Sequence, residues 1–194
     1  MTHVAGSLGD NPHAELVEHL RAFGGGAITV QEWSVPNGWA PNGLSIVAVA
    51  PTERRPWWIF ATVGCWQATK DCHWRTEFFL AAPANRAEHI EMIKMAAFFH
   101  LDPSHSIWPG KVLEIGQPWL TGSACTHLLA ALPYPLGSNF EWPDVTPCTR
   151  FLWLLPITEK EAALANREDV ESLEQLFDAA AIDFADPFRA SVVQ

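Results

Sequence analysis

The run Phe151-Leu152-Trp153-Leu154-Leu155-Pro156 constrains this chain more than any other, because consecutive large apolar residues end abruptly at a proline. It is too short for a membrane span and apolar on both faces, which predicts a strand inside a sheet covered on both sides. Pro156 has no amide proton, so pairing is expected to weaken there. Thr158 and Glu161 have the spacing of a capping box, in which each side chain satisfies the other's backbone N–H. A short helix over Glu161–Ala165 is the expected result. Asn166 with Asp169 offers a second cap, and Val170, Leu173, Leu176, Phe177 and Ala180 then recur at helical spacing. Glu168, Glu171, Glu174 and Asp178 fall on the opposite face. A buried strand therefore feeds an acidic amphipathic helix.

Upstream, the periodicity switches repeatedly between helix and strand. Asn11 can cap a helix with Pro12 at its first position, where a missing N–H costs nothing. Leu16, Val17, Leu20 and Phe23 form its stripe, and Gly24 to Gly26 stop it. No Lys-Ser or Lys-Thr follows those glycines, so they are not a phosphate loop. Ala27–Val35 carries Ile28, Val30 and Trp33 among polar residues, the pattern of a strand with one wet face. Turns at Pro36-Asn37-Gly38 and Pro41-Asn42-Gly43 lead to Leu44–Ala50 and Trp57–Val63. Both runs are apolar on both faces and so interior; the connection Pro51–Pro56 is expected to leave Arg54 and Arg55 in solvent. Arg75–Leu80 is another strand. Asn85 and Glu88 are placed to cap a helix with Ile90, Ile93, Ala97 and Leu101 on its buried side, ended by Asp102-Pro103. His105–Ser123 shows little period beyond Val112-Leu113 and Ile115. Cys125–Leu132 reads as a strand, and Pro133–Pro147 as a loop returning to Phe151.

The 194 residues suit one well-cored domain over residues 11–194, with Met1–Asp10 frayed. Strands followed by helices in this order predict an α+β fold: a mixed, mostly antiparallel sheet of about six strands flanked by helices. A net charge of -10 argues against nucleic-acid backbones and anionic membranes as partners. Much of it is local, since Glu159 to Asp186 holds nine carboxylates against two bases. No Lys/Arg-led apolar run opens the chain and no stretch reaches membrane length, so a cytoplasmic protein with reduced cysteines is expected.

Two groups of residues give the sequence a family resemblance. Phe151 to Glu161, the acidic helix, and the tail Ile182-Asp183…Asp186-Pro187…Arg189-Ala190-Ser191-Val192-Val193 resemble the end of a bacterial suppressor-of-fused (SUFU) domain. Thr62-Val63-Gly64, a polar loop, and Arg75-Thr76-Glu77-Phe78-Phe79-Leu80 resemble a strand end, loop and strand of the same family. The resemblance spans Ala27 to the end and implies a single domain that grips another protein without catalysis. In bacteria it further implies an immunity protein that neutralises a toxin of a polymorphic toxin system. An adaptor binding an endogenous protein is the alternative.

The residues themselves offer candidates for chemistry and for contact. Cys65, Cys72 and His73 share one loop, and Cys125 and His127 one strand face. Four of these could surround zinc if the two segments were adjacent, and the four cysteines and eight histidines could supply a Cys–His nucleophile pair for an enzyme. There is no Cys-x-x-Cys pair and no Gly-x-Ser-x-Gly elbow, so neither a metal, a cofactor nor a catalytic residue is assigned. Ten tryptophans must fill the core or a contact surface. Trp39, Trp66, Trp74, Trp108, Trp119 and Trp142 fall in loops or near strand ends. Trp66 and Trp74, bracketing the Cys65–Trp74 loop with Lys70 and Asp71, are the expected anchors. Glu168, Glu171, Glu174 and Asp178 are the expected acidic contact for a basic toxin domain.

Overall fold

The computed structural model describes residues 11–25, 27–35, 38–68 and 74–194. The expected fraying of Met1–Asp10 therefore lies outside the described residues, as do Lys70, Asp71, Cys72 and His73. In chain order, helix α1 (Pro12–Phe23) precedes strands β1 (Ile28–Trp33), β2 (Leu44–Val49), β3 (Trp58–Val63) and β4 (Arg75–Ala82). Helix α2 (Ala87–Leu101), β5 (Val112–Glu114), β6 (Cys125–Ala131), α3 (Ser138–Glu141), β7 (Thr149–Thr158), α4 (Glu159–Arg167) and α5 (Val170–Ala180) follow. One sheet contains all seven strands in the order β1-β2-β3-β4-β7-β6-β5. Every neighbouring pair is antiparallel except β4 and β7, which run parallel from Arg75↔Thr149 to Phe79↔Trp153. The α+β expectation holds, with β5 as the strand that weak periodicity did not announce.

The sheet is covered on both faces, which is why its central strands are apolar throughout. One face carries Ile46, Phe60, Phe78, Leu80, Leu152 and Leu154 against Ile93, Ala96 and Ala97 of α2. The other carries Val47, Ile59, Phe79, Phe151, Trp153 and Ile157 against Leu16 and Leu20 of α1, Phe140 of α3, and Leu173 and Phe177 of α5. Alternate residues of β7 therefore belong to different cores. Among the described residues no helix is long and apolar enough to cross a membrane.

Pro156 does not weaken β7, contrary to expectation. Ala130 N donates to Lys111 O at 2.9 Å and Thr126 O accepts from Ile115 N at 3.1 Å, so the even residues of β6 face β5 and the odd ones face β7. Leu155 and Ile157 take those rungs, opposite Leu129 and His127. The backbone of Pro156 points the other way, past the last β4 partner at Trp153. Its missing N–H therefore costs no ladder bond. Its carbonyl is taken by Arg189 Nη2 at 3.0 Å.

That arginine ties the tail to the expected capping box. Thr158 N donates to Glu161 Oε2 at 2.8 Å, and Glu161 N donates back to Thr158 Oγ1 at 3.4 Å, as the spacing predicted. Glu161 also receives both arms of Arg189, each at 2.8 Å, and Val192 N at 2.9 Å. Ser191 Oγ accepts from Thr158 Oγ1 at 3.0 Å. Glu161 is fully buried and Arg189 nearly so.

Several local expectations are corrected. Arg55 is buried, not in solvent; its guanidinium donates to Ala50 O at 2.6 Å and to Trp57 O, closing the β2–β3 connection. Asn85 does not cap α2: Arg86 occupies the N-cap without a side-chain bond, and Glu88 pairs with Arg86 instead. The buried side of α2 includes His89 and His100 and leaves Ile90 half-covered. Asn166 lies inside α4, and Asp169 caps α5 by accepting from Ser172 N at 2.6 Å. Leu176 and Ala180 face solvent because only Leu173 and Phe177 reach the sheet. Val30 is 39% exposed because β1 is an edge strand.

The buried pair makes a stability prediction. Arg189→Ala leaves Glu161 charged and enclosed and is expected to cost about 3–5 kcal/mol in urea unfolding. Replacing both, as Glu161→Leu with Arg189→Met, is expected to cost less than Arg189→Ala alone; a larger loss in the double variant contradicts it. Burial by itself would raise the Glu161 pKa, but Arg189 and the N–H groups of Thr158 and Val192 outweigh it and hold the value below 4.5. The pair's contribution is therefore complete above the ordinary carboxylate pKa and is lost as pH falls through the lower folded value.

Candidate protein-binding surface

The chemistry-bearing loops hang from one buried carboxylate. Pairing of β3 with β4 ends at Ala61↔Phe79. At the next rung Phe78 N donates to Thr62 Oγ1 at 2.8 Å, so a side-chain oxygen stands where a ladder carbonyl would be. The Thr62 hydroxyl donates to the Glu77 carboxylate, whose Oε1 accepts Gly64 N at 2.8 Å and Trp66 N at 2.9 Å. Glu77 thereby holds the first turn of a 3-10 segment over Cys65–Gln67. Gly64 has φ 134°, and a Cβ there would lie 2.5 Å from Gly43 O, so a side chain does not fit. Among the described residues no cation stands beside Glu77. Burial pushes its pKa up to about 7, although the Thr62 hydroxyl and backbone N–H groups pull it down.

An aromatic cluster occupies the end of the sheet where β4 and β7 begin. Arg75 N donates to Cys148 O at 2.7 Å, holding the two strand starts together. Trp74, just before β4, meets Trp142, which closes α3, edge to face with 6.0 Å between ring centres. The Arg150 guanidinium lies 4.9 Å from the Trp142 ring centre and 5.8 Å from that of Trp74. Glu141 fixes it, with Nε 2.7 Å from Oε1. Beside Trp74 is a cavity of about 220 Å³, floored by Cys65, Ala68 and Ile107 and walled by Trp108. His100 Nδ1 accepts Ile107 N at 3.2 Å and so shapes the segment under Trp108. Trp74 is 37% exposed, Trp142 38% and Trp108 53%. Preorganised indoles around an apolar depression can seat a side chain of another polypeptide at little conformational cost.

These residues lie within a recognisable framework. The chain matches the family model "Suppressor of fused protein (SUFU)" over residues 40–190. This chain belongs to the suppressor of fused family. It is similar to a SUFU homologue from Neisseria gonorrhoeae, at 33% identity and TM-score 0.81, over 96% of this chain and 99% of that one. It shares its fold with the Sufu chain of a solved Sufu–Fu complex, at 12% identity and TM-score 0.69, over 93% of this chain and 92% of that one. Drosophila Suppressor of Fused shares the fold with the same identity, coverage of this chain and TM-score, and this chain spans 51% of its length. No curated protein matches. The span matched by the SUFU model contains Thr62-Val63-Gly64, Glu77, Pro156, Glu161 and Arg189, so the two resemblances in the sequence correspond to the two buried carboxylate networks.

Within this SUFU domain the expected contact residues separate. Trp74 stands in the aromatic cluster. Trp66 is half-buried, packs against the α1 side of the core and lines a different groove with His13 and Trp33. Glu168 closes α4 beside Arg167, at 2.8 Å, rather than lying on α5. Glu171, Glu174 and Asp178 are on α5; burial, then Asp178 and Glu171, raise the Glu174 pKa. Burial, then Asp178 and Glu174, likewise raise that of the exposed Tyr134. Cys72 and His73 lie outside the described residues. Burial keeps the Cys65 and Cys125 thiols protonated, and His127 Nδ1 bonds Thr126 Oγ1 at 2.9 Å. Among the described residues no group of three or more His, Cys, Asp and Glu could hold a metal ion. Arg150 and Glu141 were missed because nothing in their spacing says that Trp142 folds back onto Trp74.

Glu77 makes a pH prediction. Its folded pKa lies above the ordinary 4.5, so its favourable contribution is present below that value and is lost as pH rises through about 7. Between about pH 5 and about pH 8 the wild-type chain is expected to lose stability, relative to Glu77→Gln, on the order of 3 kcal/mol. Parallel pH profiles of the two urea midpoints contradict this.

Proposed function

We propose that this SUFU-family chain is a non-catalytic, cytoplasmic protein-binding domain. Its contact surface is the Trp74–Trp142–Trp108 end of the sheet, together with the acidic side of α5. The observation that carries the reading is the exposure of Trp74 and Trp108 around an apolar depression, with exposed Trp142 packed against Trp74, on a frame fixed by Glu77 and by the Arg150–Glu141 pair. Family membership supports it, as does the existence of a Sufu protein of the same fold in complex with Fu. The state of the thiols favours binding over catalysis: an activated cysteine needs a lowered pKa, and burial drives Cys65 and Cys125 the other way.

The partner class follows from charge. A chain of net charge -10, with Glu171, Glu174 and Asp178 crowded on one helix, suits a cationic protein. A basic toxin domain of a bacterial polymorphic toxin system has that character, and masking it is the work of an immunity protein. Charge accelerates the encounter, and the indoles supply the residence time.

Affinity capture from the native host, read by mass spectrometry, should return a basic secreted toxin, and co-expression should restore growth to cells making it. Capture of an endogenous regulator without such protection makes the chain an adaptor instead. With the partner in hand, Trp74→Ala and Trp108→Ala are each expected to lose about 2 kcal/mol of binding, whereas Trp66→Ala should lower folding stability more than affinity. Reversing Glu168, Glu171, Glu174 and Asp178 to Lys should slow association and flatten its salt dependence. An unchanged association rate removes α5 from the contact.

A further inference from the structure

No described residue pairs with the outer edge of β1, and the strand's residues are arranged to pair with themselves. Ala50 N donates to Ala27 O at 3.0 Å, and the register continues from Ile28↔Val49 to Trp33↔Leu44. In an antiparallel ladder bonded and non-bonded pairs alternate. Thr29, Gln31 and Trp33 therefore bond to β2, and the N–H and C=O groups of Ile28, Val30 and Glu32 point away from the sheet. These three residues make no outward backbone hydrogen bond to any described residue.

Several usual defences of an edge are missing from the strand itself. Ile28–Trp33 contains no Lys or Pro, and its register with β2 runs through all six residues without a bulge. The opposite edge, β5, is only three residues long. The β1 sequence is also rich in β-forming side chains, and its middle residues are exposed.

We propose that β1 is a homodimerisation edge, pairing antiparallel with β1 of a second copy about a two-fold axis through Val30 to continue the sheet from one chain into the next. The outward set is centred on Val30, so the axis places Ile28 opposite the partner copy's Glu32 and Val30 opposite the second Val30. Every outward N–H then meets an outward C=O. The only charge in the strand, Glu32, faces an apolar residue instead of its own copy, so no rung sets like charges together. Thr29 falls opposite Gln31 on the intervening rungs. A symmetric self-contact of this kind closes at two chains and leaves the aromatic end of the sheet outside the new interface.

Val30→Pro tests this directly. Its nitrogen faces outward, so proline removes a bond to the second copy without removing one to β2. Sedimentation across a micromolar-to-millimolar series is expected to show a monomer–dimer equilibrium for the wild type and monomer only for Val30→Pro at unchanged thermal midpoint. A wild type that stays monomeric, or a dimer that survives Val30→Pro, overturns the proposal. Amide hydrogen exchange of the wild type gives a second readout that needs no variant. Protection of the Ile28, Val30 and Glu32 amides should rise with protein concentration, and concentration-independent exchange at all three overturns it.

Discussion

The enclosed charge on Glu161 is the constraint on which the carboxy-terminal third of the molecule depends. A carboxylate without water must have its lone pairs occupied, and here the donors come from three separate places in the chain. Thr158 supplies a backbone N–H from the end of β7, Arg189 supplies a bidentate guanidinium, and Val192 supplies another N–H from the tail. The same arginine reaches the carbonyl of Pro156, which no strand can claim. Sheet, helix start and tail are thus fixed relative to one another by a single buried ion pair. This explains why a leucine-proline strand end, a Thr-x-x-Glu turn and an Arg-x-Ser-Val-Val tail occur in one sequence.

A second buried carboxylate does related work at the opposite end of the sheet, with a different charge balance. Glu77 is surrounded by N–H and hydroxyl donors but by no cation among the described residues. Burial dominates, and its pKa rises where that of Glu161 falls. Two glutamates in one domain therefore respond to pH in opposite senses, because one has an arginine and the other does not. Glu77 orients the turn that floors the cavity beside Trp74, so the frame of the proposed contact surface is coupled to the protonation of a fully buried residue.

The surface itself divides by chemistry. Indoles gather where β4 and β7 start, acids gather on α5, and β1 carries an edge that no described residue pairs. Exposed and supporting residues are neighbours in places: Trp74 is exposed while Arg75, next to it, ties β4 to the turn through Ala68 O at 2.8 Å. Rigid support beneath exposed aromatics lowers the entropic cost of binding.

The order of the longer elements, though not short β5 or the α3 turn within Pro133–Pro147, the two-faced burial of β2, β3 and β7, and the Thr158–Glu161 cap were legible in the sequence, because each depends on residues within a few positions of one another. Periodicity and capping are local, and local physics survives in a linear string. What only the tertiary structure decided depends on partners far apart in the chain. Arg55 looked like a solvent residue until two carbonyls at the strand ends enclosed it, and Pro156 looked like a strand terminus until the phase of β6 placed its nitrogen on the unpaired side. Trp66 and Trp74 looked equivalent as anchors; one packs against the core and the other meets Trp142. Burial and hydrogen-bond phase are properties of the assembled sheet. They are set by which strands become neighbours, and that choice is made by the whole chain at once.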